Sequence, residues 1–149
     1  MNGAIIRTGR AVLHVTDLEK ARDFYVEGLG FIETESMEKE LYLRGLEEHN
    51  HHSLLLKKTD KAAIEAISYK VYAESDLEAL YDQFQQEGLD PIWIEKGEQH
   101  AMGRVLRVQD VSGLPIEYYA EMDAVERMLQ RYDLYKGARY NELTTLIAW

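Results

Sequence analysis

Five histidines, at positions 14, 49, 51, 52 and 100, are the side chains best suited to bind a metal ion or move a proton near neutral pH. His49, His51 and His52 lie close together. Neighbouring residues of a strand point to opposite faces, so His51 and His52 cannot both bind one ion from a regular strand. His49 and His51 could share a face, which supplies two ligands at most. The spacing favours a polar loop that enters a strand over a metal site.

The other reactive groups give weaker signals. The run that holds Glu33, Glu35, Glu38 and Glu40 is typical of a solvated sheet edge that resists aggregation, rather than of a catalytic dyad. The chain contains no P-loop, no Gly-x-Gly-x-x-Gly, no His-Glu-x-x-His and no nucleophile elbow. It also has no cysteine, which excludes thiolate catalysis and disulfides and favours a cytoplasmic location.

The elements that must position these residues are arranged as a repeat. In the first copy a strand from about residue 10 precedes a helix, at whose start Thr16 and Glu19 have the spacing of a capping box. Gly28 and Gly30 are placed to end this helix. Its predicted apolar face consists of Leu18, Ala21, Phe24 and Tyr25, and the predicted strands that follow are Phe31–Met37, Glu40–Leu46 and His52–Lys57.

The second copy has the same order. A strand at residues 66–73 precedes a helix with Ser75 and Glu78 at capping-box spacing and with Gly88 at its end. Asp110 and Gly113 belong to a predicted turn between the last two strands. The predicted apolar face is Leu77, Leu80, Tyr81 and Phe84, and the predicted strands are Pro91–Glu95, Gly103–Val108 and Leu114–Ala120.

The repeat predicts an α+β fold with two tandem β-α-β-β-β units, over about residues 10–58 and 65–121, within a domain at 1–121. Residues 122–149 are predicted to form a C-terminal helix and tail. Asp123 and Glu126 would begin that helix, and Gly137 would close it. Its apolar stripe, which would lie on the sheet or on a neighbouring domain or subunit, is Val125, Met128, Leu129 and Tyr132.

The charge balance limits the partners. With 17 basic and 27 acidic residues the chain carries a net charge of −10, which disfavours binding to nucleic acids and to anionic membranes. No apolar run approaches the length of a membrane span. Ten tyrosines against three phenylalanines favour half-buried sheet faces and some contact between subunits.

These motifs together resemble the vicinal-oxygen-chelate superfamily and, more closely, its type I extradiol ring-cleaving dioxygenases of the catechol 2,3-dioxygenase and homoprotocatechuate 2,3-dioxygenase kind. The resemblance covers about residues 8–137. It is carried by the segments 15–25 (VTDLEKARDFY), 41–44 (LYLR), 51–54 (HHSL), 110–118, 125–127 (VER) and 131–135 (RYDLY).

The resemblance implies a protein with two such domains, in which two histidines and a glutamate of the second domain hold iron(II). Everything that matches here resembles the first domain. The three positions that correspond to the ligands are Arg10, Ala66 and Glu117, and only Glu117 could bind iron, because Arg offers no lone pair and Ala no ligand atom. The resemblance therefore implies no catalytic residue, no metal site and no cofactor in this chain.

Two hypotheses about function follow. In the first, the chain is the non-metal domain of an iron-dependent dioxygenase that cleaves catechols to muconic semialdehydes, structural and inactive alone, and its partner is the missing catalytic domain or a second copy. In the second, it is a stand-alone binding module that sequesters a small aromatic or a metal complex. A shortened gene product and a natural single domain are both compatible with the tail at 140–149, which has no histidine.

One further expectation concerns charge pairing. If Arg10 and Glu117 occupy adjacent ligand positions, they should face each other, because an unpaired buried charge costs several kcal/mol. We therefore expect an ion pair in place of the metal, with exposed strand-end residues as the alternative.

Overall fold

The computed structural model describes residues 5–126, which form two units of the same design. The first consists of β1 (Ile5–Val15), α1 (Leu18–Arg22) with a π-helical continuation (Asp23–Gly28), β2 (Ile32–Ser36), β3 (Glu40–Arg44) and β4 (Leu54–Lys58). The second consists of β5 (Ala63–Val71), α2 (Glu74–Gln86), β6 (Ile92–Ile94), β7 (Val105–Gln109) and β8 (Pro115–Tyr119). Each of the six strands predicted after the helices overlaps a strand of the structure.

One sheet joins the two units. Its strand order is β2-β3-β4-β1-β5-β8-β7-β6, so the second unit mirrors the order of the first about the pair β1–β5. Within each unit the first and last strands pair in parallel, β1 with β4 and β5 with β8, and the remaining neighbours are antiparallel. β1 and β5 pair antiparallel at the centre. The predicted α+β fold of tandem β-α-β-β-β units is confirmed.

The two helices cover one face of the sheet. Alternate residues of β1 point to opposite faces, so Leu13 packs beneath α1 while Arg10 and Val12 lie on the other face, which we call the helix-free face. In the second unit Leu77 and Leu80 of α2 pack on strand residues of the same side. The two larger apolar cores therefore lie between helices and sheet, and the helix-free face carries buried polar residues together with a small apolar cluster of Val12, Tyr42 and Leu55.

Both helices begin at residues other than the predicted caps. The N-cap of α1 is Asp17, not Thr16, and its carboxylate accepts a hydrogen bond from the amide of Lys20 at 3.1 Å. The N-cap of α2 is Ala73, whose amide donates to the carboxylate of Asp76 at 2.9 Å, because Ser75 already lies inside the first turn. At α1 a carboxylate thus takes the place of the expected hydroxyl as acceptor for an amide at the end of the helix. At α2 the corresponding amide, that of Asp76, donates to the backbone carbonyl of Ala73 at 3.0 Å.

The apolar face of the first helix also differs from the prediction. Phe24 was placed on it but is 59% exposed. The π-helical turn has more residues per turn than an α-helix, so the half-buried positions that pack on the core after Ala21 are Tyr25, Val26 and Leu29. The predicted face of α2 and the turn at Asp110, where Gly113 has φ of 84°, are confirmed.

The segment at 121–126 is extended where a helix was predicted to begin. The amide of Asp123 donates to Ala101, its carbonyl accepts from the amide of His51, and the amide of Val125 donates to His49, so Asp123 is not an N-cap. The rest of the predicted helix and the tail, at 127–149, lie outside the described residues, and the predicted boundary at 121 stays a prediction. No helix within 5–126 has the length and apolar content that crossing a membrane requires.

Candidate functional site

Three neighbouring strands, β1, β5 and β8, bring a buried ion pair together on the helix-free face. Register places Arg10 of β1 opposite Ser68 of β5, and Ser68 opposite Glu117 of β8. Nη2 of Arg10 lies 2.8 Å from Oε2 of Glu117, and the two side chains are 2% and 0% exposed. The ion pair expected between these residues is confirmed, and the alternative of exposed strand ends is wrong.

Every oxygen of the Glu117 carboxylate is occupied by donors. Oε2 accepts from Arg10 and from the hydroxyl of Ser68, the latter at 2.9 Å. Oε1 accepts from Nε2 of Gln99 at 2.9 Å and from Nη2 of Arg107 at 2.5 Å. The carboxylate therefore has two guanidinium partners and no free lone pair directed into the space between Arg10, Ala66 and Glu117, which we call the hollow.

These partners determine the charge state of Glu117. Burial alone would raise the pKa of a carboxyl group, but the charge of Arg10 and the hydrogen bonds from Arg10, Arg107 and Gln99 outweigh burial and lower the pKa of Glu117 to about 2. Glu117 is therefore a carboxylate at neutral pH, and its charge is compensated within the hollow.

The hollow does not fit the iron that, by the resemblance, a metal-binding domain of the family would hold. Arg10 fills it with a permanently charged group that cannot bind a cation. Ala66 is fully buried on the same face of β5 as Ser68 and offers a methyl group, and Ser68 supplies the hydroxyl that reaches the pair. A divalent ion would have to displace both guanidinium groups from Glu117. The pocket at these three positions is an internal ion pair.

A chain of hydrogen bonds leads from the ion pair to two adjacent histidines. Nη1 of Arg10 lies 3.1 Å from Nε2 of His52, and Arg can only donate, so this ring nitrogen is the acceptor. Burial, assisted by the charge of Arg10, lowers the pKa of His52 to about 2, so His52 is neutral and carries its proton on Nδ1. That proton faces Nδ1 of His51 at 2.9 Å.

The chain of hydrogen bonds ends at a carboxylate. Because His51 accepts at Nδ1, its own proton is on Nε2, which lies 3.0 Å from Oε2 of Glu35. Nε2 of His100 lies 2.7 Å from the same oxygen. The hydrogen bonds from His100 and then from His51 lower the pKa of Glu35. Glu35, His51 and His100 form a cluster that could hold a metal ion, which we call the edge cluster.

The edge cluster bears on two sequence-based interpretations. The predicted polar loop before β4 is present and holds both His51 and His52, which interact with each other, and only His51 belongs to the cluster. Glu35 is not merely a solvated edge residue. Its neighbours in the acidic run also have partners: Glu33 binds Arg22, and Glu40 accepts from Tyr42. His49 contributes no ligand to the cluster. No local sequence motif indicates that Glu35 and His100 lie together, because they are 65 positions apart in the chain.

A cavity of about 170 Å³ adjoins the ion pair. Val12, Tyr42 and Leu55 form its apolar part. Most of its polar side chains already have partners within the protein: Lys57 binds Glu65 at 2.9 Å, and Gln99 binds Glu117. The cavity therefore offers a small aromatic ring some space, and it offers few unsatisfied groups to orient that ring.

Comparison with known proteins identifies related sequences. The family model for the Glyoxalase/Bleomycin resistance protein/Dioxygenase superfamily matches residues 7–118. The manganese-dependent 2,3-dihydroxybiphenyl 1,2-dioxygenase of Geobacillus genomosp. 3 is 27% identical over 123 residues, which are 83% of this chain and 39% of that protein. The metapyrocatechase of Pseudomonas sp. (strain CF600) is 31% identical over 124 residues, 83% of this chain and 40% of the relative.

The solved structures that match this chain include two dioxygenases. Native homoprotocatechuate 2,3-dioxygenase from Arthrobacter globiformis superposes with a TM-score of 0.85 at 38% identity, over 91% of this chain and 42% of that one. An extradiol ring-cleaving dioxygenase from B. fuscum gives the same TM-score and identity over 91% and 38%. The chain thus spans about two fifths of the length of the proteins it matches.

Proposed function

The chain belongs to the Glyoxalase/Bleomycin resistance protein/Dioxygenase superfamily, and we propose that it is the non-catalytic, N-terminal module of an extradiol dioxygenase. The homologues are ring-cleaving dioxygenases, and the chain corresponds to about two fifths of each. The activity of a whole enzyme therefore needs a further module. In the proposed protein that module binds the metal ion, and this chain supports it.

The observation that carries this proposal is the buried pair of Arg10 and Glu117 at 2.8 Å. By the resemblance, a metal-binding module of the family would hold its ion at these strand positions. Here a guanidinium, a methyl group and a fully hydrogen-bonded carboxylate occupy them. The module keeps the scaffold of the family and has an ion pair in place of the metal. In this proposal the ion pair has a structural role.

The proposed substrate of the complete enzyme is an aromatic compound with two adjacent hydroxyl groups. The names of the relatives point to this class through dihydroxybiphenyl and homoprotocatechuate. One name includes manganese, and the resemblance implies iron(II), so the metal of the complete enzyme is a divalent ion of this kind. In the proposed reaction the carbon–carbon bond beside the hydroxyl groups breaks, and both oxygen atoms of dioxygen enter the product.

The roles of this chain's residues follow from its contacts. Arg10, Ser68 and Glu117 join β1, β5 and β8 by side-chain hydrogen bonds across the centre of the sheet. They therefore hold the two units in register. We expect a cytoplasmic protein whose partner is the metal-binding module or a second copy of the chain, without binding to nucleic acid or membrane.

The proposal is tested by complementation. The full chain is loaded anaerobically with Fe(II) or Mn(II) and assayed for oxygen uptake with catechol and with homoprotocatechuate. It is then co-expressed with the metal-binding remainder of the Arthrobacter enzyme, from which the matching 42% has been removed. We expect no uptake by the chain alone, a stable complex of the two parts, and ring cleavage only by that complex.

Three results would contradict the proposal: turnover by the chain alone, a remainder that is equally active without the chain, or two parts that form neither a complex nor an active enzyme. Tight binding of a catechol by a dimer of the chain, without turnover, would instead support the stand-alone binding module. The remainder expressed alone is the matched control.

A further inference from the structure

The edge cluster brings together three groups from separate parts of the chain: Glu35 from β2, His51 from the loop before β4, and His100 from the loop after β6. We propose that these residues form a binding site for a first-row divalent transition-metal ion of the zinc class. The site is separate from the hollow that Arg10 and Glu117 fill. The proposal does not depend on the proposed function, because it concerns ligands that are all present in this chain.

The ligand atoms lie close to the spacing that one ion requires. Oε2 of Glu35 lies 3.0 Å from Nε2 of His51 and 2.7 Å from Nε2 of His100. Two ligands about 2.1 Å from one ion are about 3.0 Å apart at right angles and about 3.4 Å apart in a tetrahedral arrangement, so the carboxylate and the imidazoles separate by a few tenths of an ångström when a zinc-class ion binds. The three atoms lie within 4.8 Å of one another, so a small shift of the exposed His100 ring suffices to place all of them around an ion.

Ring packing holds the two imidazoles in place. Tyr42, which is 2% exposed, makes edge-to-face contacts with His51 and His100, at centroid distances of 5.3 and 5.2 Å. A rigid aromatic side chain therefore limits the rotation of both rings, so less conformational entropy is lost when an ion binds. Orientation by a buried side chain is also what distinguishes this group from carboxylates and imidazoles that meet by chance on a surface.

The donor set and its accessibility determine the class of ion. Two imidazoles and one carboxylate suit zinc, iron, nickel and cobalt, whereas calcium and magnesium prefer oxygen ligands throughout. His51 is largely buried, with 10% of its side chain exposed, while Glu35 and His100 are 38% and 43% exposed. An ion can therefore enter from solvent and retain water at its remaining positions.

Binding at this site is coupled to the buried ion pair. To bind an ion through Nε2 as a neutral ring, His51 must move its proton to Nδ1, where His52 now donates. His52 can accept that proton's hydrogen bond only if its own proton moves from Nδ1 to Nε2, and this ends its hydrogen bond from Arg10. We infer that metal binding at the edge switches the tautomer of His52 and releases its contact with Arg10.

The test uses the full chain with any affinity tag removed. Zn²⁺ is titrated by calorimetry and Co²⁺ by its visible absorption, with wild type, E35Q and H100N. We expect one ion per chain in wild type, and a loss of affinity of at least about 100-fold in each variant, since even outer partners of metal ligands contribute about 10–100-fold. Nitrogen NMR of the histidine rings should show the tautomer switch of His52 when Zn²⁺ is added.

The matched control is H14N. Nε2 of His14 lies 2.6 Å from Oε2 of Glu65, as close as any contact of the edge cluster, but the other oxygen of Glu65 binds Lys57 in place of a second imidazole. H14N should bind one ion with wild-type affinity. Absence of stoichiometric binding, or binding that E35Q and H100N leave intact, would overturn the site. Binding that leaves the tautomer of His52 unchanged would overturn its coupling to Arg10.

Discussion

A buried arginine is stable in this protein because each nitrogen of its guanidinium has at least one acceptor. Arg10 donates to Ser68, His52, Gln99 and Glu117, and it is 2% exposed. A buried ion pair of this kind contributes little net stability compared with apolar residues of the same volume, but breaking one half of it leaves an uncompensated charge. A substitution of Arg10 alone or of Glu117 alone should therefore lower the stability of the protein strongly.

Replacing Arg10 tests that statement. We expect R10M to lower the free energy of unfolding by about 3 kcal/mol, because Glu117 keeps only part of its compensation. The double variant R10M/E117L should cost less than the sum of the two single variants, because no lone charge is then buried. Urea unfolding measures both. E33Q, which removes the partly exposed Arg22–Glu33 pair, is the control and should cost less than about 1 kcal/mol. Strictly additive single effects would contradict the coupling.

His52 makes stability depend on pH. Its pKa is lowered from 6.5 to about 2 in the folded protein, so as the pH falls below 6.5 the unfolded chain takes up a proton that the folded protein does not. Folding is then disfavoured by up to about 1.4 kcal/mol per pH unit. We expect the stability of wild type to fall more steeply than that of H52Q between pH 6.5 and 4.5, measured by urea unfolding. Parallel stability curves for the two proteins would contradict this.

At the scale of elements, the residue type at a cap matters less than where the backbone leaves the strand. Asp17 has an extended backbone, with φ of −137° and ψ of 106°, and this makes it the last residue before α1. Its carboxylate therefore reaches the amide of Lys20, while Thr16 stands one residue too early. Capping-box spacing alone identified both helices correctly and named the wrong residue at each start.

Two substitutions separate the cap from its neighbour. D17A should lower the free energy of unfolding by about 1 kcal/mol, because the amide of Lys20 loses its acceptor. T16A should change it by less than about 0.5 kcal/mol. Thermal and urea unfolding of the two variants provide the measurement, and each serves as the control of the other. A larger cost for T16A than for D17A would restore Thr16 as the cap.

At the scale of the whole molecule, the two units share one sheet through the pair β1–β5. Each unit has its own apolar core beneath its own helix, but the buried polar residues connect both units across this central pair. A substitution that destabilises one core should therefore also destabilise the other unit.

Leu56 tests that cooperation. It is fully buried in the first unit, so L56A should cost about 2–5 kcal/mol. If the sheet unfolds as one body, hydrogen exchange should show reduced protection of the amides in β3 and also in β7. I64A, at a position 55% exposed, is the control and should leave both strands protected. Loss of protection confined to the first unit would show that the units unfold separately.

Much of the fold can be read from local pattern. Strand alternation, helical periodicity and the glycines after each helix are short-range properties, and they indicate the repeat, the α+β class and nearly all strands. The exceptions have local causes as well: the π-helical turn moved Phe24 off the core, and residues 121–126 pair as extended chain with segments near His49 and Ala101.

The candidate site also contains contacts that could be predicted from the sequence and contacts that could not. Arg10 and Glu117 could be predicted as a pair because the family resemblance assigns both to one pocket, although they are 107 positions apart. The link from Arg10 through His52 and His51 to Glu35 and His100 could not be predicted, because it joins loops and strands up to 65 positions apart. Such contacts depend on the order of the strands in the sheet, because that order brings distant segments together. No periodicity along the chain encodes the strand order. Local patterns along the chain therefore encode the strands, the two helices and most of their buried faces, whereas the order of strands in the folded sheet sets which polar groups meet.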